Sequence, residues 1–505
     1  MEHSGRGAAL IGLAAGLAAV GAMELAGALA TLRPLPDLLQ GPVLAAMPGP
    51  VFGFMIDRLQ HLGKVLEEIG LLLLTVVLLA LLAAAALAVA DRYAPRHPRA
   101  ALLVFPAAGL VAWLAVSLAV LPVGGEGLFG LGAGPVRPVA WAVVFGLYGA
   151  TPAILASSRP APAPAGGAAD PVRRQLLALG VTAAGLLVVG FTRVPGWVGA
   201  VVTPPEGGRQ GRLSPALTPV DRFYVVSKNF QDPHVDARSW SLSVGGLAGS
   251  PQRLTLAQLR SLPAVTETVT MECISNVVGG PQMSTGRFTG VPLRDLVARA
   301  QPRAEARAVT FQARDGYTES MWLSELDGNP AILVAYLLDG QPLPDAHGYP
   351  ARVLVPGHYG MRGPKWLEQI TLAQNREDGY WEQQGWNPDV EVRTASRIDE
   401  PADGAGLRRG LVTVAGVAFA GGRGISSVEW STDGGQTWRP ARLEAPLSPL
   451  TWVRWTADWQ PERDGGFRLT VRARDGGGHL QDQTRRDSFP SGSSGWHSVN
   501  VTVGL

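Results

Sequence analysis

The stretch "TVTMECISNVVGG" contains Cys273, the only cysteine among 505 residues. A thiolate can act as a nucleophile or as a ligand for a soft metal. A cysteine can equally be a small buried hydrophobe. One cysteine excludes an internal disulfide and any Cys-rich metal site. "AVTETVTMEC" alternates as a strand does, and the alternation breaks at "SNVVGG". Cys273 therefore ends a strand and opens a Gly-rich loop, a common carrier of reactive or ligating groups. Its chemistry depends on which side of a membrane it lies, because compartments outside the cytoplasm oxidise free thiols.

A membrane enters through composition. Hydrophobic residues make up 47% of the chain and charged residues 17%, against a usual charged share of about a quarter. The deficit sits in the first third. Five apolar runs, Ala8 to Leu32, Ile69 to Ala90, Ala100 to Pro122, Val139 to Ala156 and Leu176 to Phe191, approach the length of a membrane span, roughly 20 residues. Arg92, Arg96 and Arg99 lie between the second and third runs, and Arg159, Arg173 and Arg174 between the fourth and fifth. Basic loops face the cytoplasm. The N-terminus is then cytoplasmic, and everything after about Phe191 is extracytoplasmic. The segment from Thr31 to Glu68 reads as amphipathic, an interfacial helix leading into the second span. Glu24 lies in the first run near its outer end, where its carboxylate is expected to snorkel to the headgroups. His3, His61 and His97 lie at ends or in loops, so no haem site is evident. "DPVRRQLLALG" either serves the positive-inside rule alone or is an uncleaved twin-arginine export signal. The net charge of +2 gives no reason to expect nucleic acid as a partner.

The remainder reads as a soluble protein, and several of its pieces occur together in one order. They are "TPVDRFYVVSKNF", "WSLSVGGL", "LTLAQLRSLP", "MECISN", "FTGVPLRDLV" and "AILVAYLLDGQPLPDAHGYPARVLVPGHYGMRGPKWLEQITL". From about Ala216 to Leu505 the chain resembles the sulfite oxidase family of molybdopterin oxidoreductases. The resemblance implies an α+β sulfite-oxidase-type molybdopterin domain, with molybdenum and molybdopterin as cofactors. It implies that Cys273 ligates the metal and that the pterin supplies two further sulfurs. Ser227, Lys228, Asn229 and Phe230 fall on the leading segment that touches the pterin, and Asp315 falls near another contact. His347, Arg352 and Lys365 fall on cofactor-binding positions, with Gly363 and Pro364 on backbone contacts. A cofactor that ends in phosphate needs such basic groups and amides.

Three departures bear on substrate. Val277 and Val278 stand where sulfite oxidases have a basic pair. Lys228 stands in place of an arginine that faces the substrate anion, and lysine offers only a point charge. The family's active-site tyrosine has no clear counterpart near "YWEQQGWNPDV", although Gly385 and Trp386 are close. These departures weaken the case for sulfite. Arg287, His358 and Arg362 are candidates to line the entrance.

The last hundred residues alternate apolar and polar in about seven short strands, and "STDGGQTW" is a hairpin signal. An immunoglobulin-like β-sandwich is expected, similar to the family's C-terminal dimerisation domain and hence pointing to a homodimer. Trp430, Trp438, Trp452, Trp455 and Trp459 are expected in its core and hairpins. The expected organisation is a transmembrane domain over 1–192, a linker over 193–215, a molybdopterin-binding catalytic domain over 216–400 and the sandwich over 401–505. The expected protein is a multi-pass enzyme, seated in lipid, with its catalytic domain extracytoplasmic. No haem-attachment Cys pair and no dinucleotide Gly motif occur, so a separate protein or quinone must exchange electrons with it. The competing expectation is a membrane receptor that binds without turnover.

The family inserts its cofactor in the cytoplasm, so the catalytic domain is expected to cross the membrane folded. Changing Arg173 and Arg174 together to Lys keeps the charge of the loop. The expected outcome is four inserted spans with the catalytic domain trapped inside, read by fractionation and surface accessibility. Normal external, metal-loaded enzyme would leave the pair as a topology signal only.

Overall fold

The computed structural model describes residues 5–30, 32–47, 51, 54–55, 59–93, 98–124, 126–133, 136–157, 170–202, 211–229, 232–387 and 391–504. The chain forms two compact units, one up to about residue 203 and one after it.

In the first unit each predicted run is a helix. The long helices are α1 (Gly5–Ala30), α3 (Gln60–Tyr93), α4 (Pro98–Ala115), α5 (Val136–Ser157) and α6 (Asp170–Val202), with the shorter α2 (Leu35–Ala46) after α1. A π-turn at Val116–Val120 prolongs α4. Among the described residues, five helices are long and apolar enough to cross a membrane. Small residues let their backbones approach closely. A Cβ on Gly12 or Gly16 of α1 would sit 2.6 or 2.7 Å from a carbonyl oxygen of α3, and one on Gly185 of α6 would sit 2.6 Å from Leu17 O.

Two expectations fail here for one reason. Glu24 does not snorkel; it is 3% exposed. Arg193 of α6 takes it bidentately, Nε to Oε2 at 2.9 Å and Nη2 to Oε1 at 2.6 Å. The Nη1 of Arg193 also reaches Glu68 Oε1 at 2.7 Å and Asp37 Oδ1 at 3.0 Å. Trp197 Nε1 donates to Glu68 Oε2 at 2.8 Å. One guanidinium thus joins carboxylates from α1, α2 and α3, which makes burial the better outcome for all of them. The same cluster explains why α6 runs to Val202, beyond the predicted end of the span near Phe191. The amphipathic stretch before the second span is likewise no separate surface helix from Gln60 onward; it is the first turns of α3, and its Glu68 faces inward.

The second unit opens on two sheets. The first has the order β2-β1-β10-β5-β6, from β1 (Ser241–Gly246), β2 (Gln252–Thr255), β5 (Ala308–Ala313), β6 (Thr318–Trp322) and β10 (Leu367–Ala373). The second has the order β3-β4-β7-β8, from β3 (Val265–Glu272), β4 (Met283–Pro292), β7 (Leu333–Leu338) and β8 (Gln341–Pro342), with β9 (Arg352–Leu354) also on β7. The "HGYPAR" motif leads into β9, and the "GPKW" motif lies in the crossing from β9 to β10, from one sheet to the other. One core, containing Trp240, Leu242, Val309, Phe311, Val334, Val353 and Ile370, draws on both sheets.

The C-terminal region adds two more sheets. Their orders are β11-β13-β17-β16 and β12-β19-β18-β14-β15. The strands are β11 (Ala395–Glu400), β12 (Ala405–Leu407), β13 (Val412–Phe419), β14 (Ile425–Ser431), β15 (Arg439–Pro440), β16 (Arg442–Leu443), β17 (Val453–Trp459), β18 (Gly465–Asp475) and β19 (His497–Val503). Nine strands appear, of which β11 lies ahead of the last hundred residues where the pattern showed about seven, and β12, β15 and β16 are too short to leave an alternation. Trp430, Trp455 and Trp459 fill the shared core and Trp452 is buried, while Trp438 packs edge-on against Trp496 with Arg472 4.0 Å over its ring. The turn after β14 is held by Asp433, whose carboxylate accepts from the amides of Gln436 and Thr437.

Removing the guanidinium leaves its carboxylates buried without their partner, which costs about 3–5 kcal/mol. Arg193→Leu is therefore expected to abolish the folded helical unit, and Arg193→Leu with Glu24→Leu to recover part of it. Yield of detergent-solubilised, monodisperse protein and its melting temperature read the difference.

Candidate active site

Cys273 follows β3 directly. The loop to Gln282 closes the β3–β4 hairpin, whose last pair is Glu272 with Met283. Cys273 N donates to Gln282 O at 3.0 Å, and Asn276 N to Cys273 O at 3.0 Å. Gly279 has φ +78°, a left-handed conformation that suits glycine. The Sγ lies 3.1 Å from Ser275 Oγ. Burial pushes the thiol above its ordinary pKa. The cysteine packs against a buried cluster that includes Phe223, Tyr224 and Met271.

Two of the predicted clusters form. In the first, Lys228 Nζ donates to Asp315 O at 2.8 Å and lies 3.5 Å from Asp315 Oδ2. Asn229 Nδ2 donates to Asp315 Oδ2 at 2.9 Å, and Ser227 Oγ donates to Asp232 Oδ1 at 2.5 Å. Phe230 lies outside the described residues. The second cluster is His347, Arg352, Gly363, Pro364 and Lys365. Arg352 donates to Gly363 O at 3.1 Å and to His347 O at 3.3 Å. Pro364 O accepts from Val353 N at 2.9 Å. Lys365 Nζ donates to Ala346 O at 2.9 Å and to Val226 O at 3.1 Å, and the second bond joins the two clusters. Gly348, at φ +103°, leaves room for Lys365, whose Cβ lies 2.9 Å from where a side chain would begin. Phe223 stacks edge-on against His347 at 5.3 Å, so one residue touches both the thiol's surroundings and the basic cluster.

The electrostatics of the two clusters differ. Lys228 is matched by Asp315. Burial, then the charges of Arg352 and Lys365, drive His347 down to about 3. Burial pulls Arg352 down to about 10, with only the Tyr224 side chain opposing. Among the described residues no carboxylate pairs with Arg352. A buried arginine that no carboxylate among the described residues pairs with fits the phosphate of a cofactor. Among the described residues no three His, Cys, Asp or Glu side chains converge. A metal bound at Cys273 must take most of its ligands from that cofactor.

The three entrance candidates are committed elsewhere. Arg287 is an exposed partner of Asp339 on β4. His358 is half-buried and pairs its backbone with Glu391. Arg362 is 3% exposed and held by Glu319, Glu325 and Ser320 O. Burial holds Glu319 up at about 8. Sequence reading missed Tyr317 and Tyr380, whose rings lie 5.6 Å apart, with Lys228 Nζ 5.1 Å over Tyr380. Tyr317 OH donates to Met361 O at 2.6 Å. No spacing signals them, since Lys228 and Tyr380 are far apart along the chain. Trp386 is buried and meets Phe489 of the C-terminal region at 5.2 Å.

Comparison with known proteins agrees with this site. Residues 229–381 match the family described as oxidoreductase molybdopterin binding domain, and residues 387–503 the Mo-co oxidoreductase dimerisation domain. Mitochondrial sulfite oxidase of Mus musculus is 30% identical over 351 residues, covering 59% of this chain and 63% of its own. Sulfite oxidase of Gallus gallus is 31% identical, covering 52% and 68%. Nitrate reductase [NADPH] of Emericella nidulans is 29% identical, covering 45% and 32%. The chain thus spans under two thirds of the length of the mouse relative. The crystal structure of the sulfane dehydrogenase SoxCD from Paracoccus pantotrophus shares the fold, with a TM-score of 0.50 and 20% identity over 58% of this chain and 82% of that one. The loop-borne thiol and the buried Arg352 lie within the stretch that matches a molybdopterin binding domain. The chain belongs to the sulfite oxidase family of molybdopterin enzymes.

The depressed His347 makes a pH prediction for the cofactor-free protein. The unfolded histidine titrates near 6.5 and the folded one near 3. The unfolded state therefore binds the extra proton between these values, and stability is full above 6.5 and falls as pH drops toward 3. Relative to His347→Gln, the wild type is expected to lose up to about 1.4 kcal/mol per pH unit in that window. Denaturant titrations at several pH values measure it, and parallel curves would place His347 in water.

Proposed function

We propose that the chain is a membrane-anchored molybdenum oxidoreductase, working outside the cytoplasm, that moves an oxygen atom to or from a small or protein-borne oxide. The observation that carries this reading is the single loop-borne thiol and, across Tyr224 from it, the buried Arg352, which no carboxylate among the described residues pairs with. Cys273 is the proposed protein ligand of molybdenum. His347, Arg352 and Lys365, with the backbone of Gly363 and Pro364, would hold the phosphate of molybdopterin; Ser227, Lys228, Asn229, Phe230 and Asp315 would hold its pterin side. The metal and its dithiolene supply two-electron oxygen-atom exchange. The chain aims the thiolate, fixes the cofactor and sets the charge of the pocket.

That charge argues for an oxide of low charge. Val277 and Val278 stand in the thiol's loop, Lys228 is matched by Asp315, and Arg362 is matched by Glu325. Little positive charge is left to hold a dianion. A receptor that binds without turnover finds no support in this site.

The anchor is proposed to be the five apolar helices, oriented by the basic loops. The proposed domains are 216–400, catalytic, and 401–505, an immunoglobulin-like sandwich whose match to a dimerisation domain supports a homodimer. Electrons would pass to or from a separate protein or quinone.

Replacing Cys273 by Ser is expected to lower molybdenum from about one atom per chain to a trace and to abolish turnover. Metal analysis of the purified protein and assays on a panel of sulfur and nitrogen oxides read both. Unchanged turnover in the variant would end the assignment.

A further inference from the structure

The Cys273 loop is gripped from two directions. Its own groups close it from within: Asn276 Nδ2 donates to Glu272 Oε1 at 2.9 Å, Gln282 N to Asn276 Oδ1 at 3.1 Å, and Ser275 Oγ to Gln282 Oε1 at 3.1 Å. The second grip comes from the C-terminal sheets, distant in sequence. Ser493 Oγ donates to Asn276 O at 2.7 Å. Arg397 Nη1 donates to Gly280 O at 2.6 Å. The guanidinium is itself fixed by Asp399 at 2.6 Å and Ser214 at 2.9 Å, so it offers a rigid donor. The ring of His497 lies so close to Gly279 that a Cβ there would sit 2.1 Å from its Cδ2. That ring is held by Ile398 N, which donates to Nδ1 at 3.0 Å.

The strand that delivers the thiol receives the same treatment. Thr270 N donates to Leu450 O at 3.0 Å, and Thr270 Oγ1 accepts from Trp452 N at 2.8 Å. Ser448 Oγ donates to Thr268 O at 2.6 Å. Between loop and sheets lies a cavity of about 20 Å³, lined by Glu272, Asn276, Tyr359, Arg393 and Ser493 among others. Glu272 is 5% exposed, and its Oε2 has no protein partner. That space suits one water.

A region that served only to pair two copies of the chain would have no need to bond two carbonyls of the loop that carries one cysteine. We propose that Arg397, Ser493 and His497 are positioning residues of the metal site: the C-terminal sheets fix the backbone of the Cys273 loop and through it the direction of the thiolate. The inference rests on Cys273 being the metal ligand. Groups that orient a ligand without touching the metal change its behaviour by roughly 10-fold or more when lost.

The test uses the holoenzyme. Ser493→Ala removes one hydroxyl from the grip, and Ser493→Thr keeps it. Ser448→Ala is the control, since it cuts a comparable bond from the same region to Thr268 O, away from the loop. Three readouts are needed: molybdenum content, the paramagnetic resonance spectrum of the one-electron-reduced metal, and kcat with KM. Ser493→Ala is expected to shift the resonance and lower kcat roughly 10-fold at unchanged KM. Ser493→Thr restores both, and Ser448→Ala melts like Ser493→Ala but keeps the wild-type spectrum. Loss of molybdenum from Ser493→Ala, with Ser448→Ala fully loaded, is the stronger form of the same result. A wild-type spectrum in Ser493→Ala, or an equal shift in Ser448→Ala, overturns the inference. Retained molybdenum in Cys273→Ser would instead overturn the ligand assignment beneath it.

Discussion

A metal that takes one bond from the protein can be aimed only through that bond. Cys273 is that one contact in the reading proposed above, and its placement has to come from backbone that surrounds it. A hairpin loop in isolation is a poor mount, because loops give up order easily. Here β3 and β4 hold its ends and internal hydrogen bonds hold its middle. The segment from His347 through β9 to Lys365 carries the basic cluster, and Phe223 belongs to the core against which Cys273 packs while lying edge-on to His347. The order of strands in the two catalytic sheets thus matters because it makes distant segments converge on a short loop.

Charge is sorted with equal care. Lys228 and Arg362 are each given a carboxylate, and their fields are largely spent before they reach a ligand. Arg352 is given backbone carbonyls, which satisfy its N–H groups without cancelling its charge. Hydrogen bonding and neutralisation are separate needs, and the difference between the two sets of cations lies in which need the chain leaves to a cofactor. Burial depresses both His347 and Arg352, but it leaves the histidine neutral and the arginine charged.

Much of this was legible in the sequence. The alternation of "AVTETVTMEC" gave the strand, and its break gave the loop that carries Cys273. Residues close in sequence, such as His347, Arg352 and Lys365, could be grouped because their spacing travels with a motif. What stayed hidden was every relation between distant segments. Nothing in the pattern around Ser493 or Arg397 indicates Asn276 and Gly280, and nothing near Tyr380 indicates Lys228. Glu24 shows the same limit in the apolar half. A carboxylate in an apolar run has two outcomes, exposure or a partner, and the partner lay on a helix over 160 residues later. Short strands such as β15 were illegible for a simpler reason, since two residues cannot show a period.

The Arg193 cluster also has a temporal side. A guanidinium that answers to carboxylates on α1, α2 and α3 has its full set of partners only once those helices are in place. Alone in an apolar surrounding, α6 would carry a bare charge at high cost. The chain order meets this condition without further machinery, because α6 is made last. The final helix then closes a site that its predecessors have assembled, and its docking acts as a check that they have done so. A defect in α1, α2 or α3 would be felt at Arg193, on the last helix before the second unit of the chain.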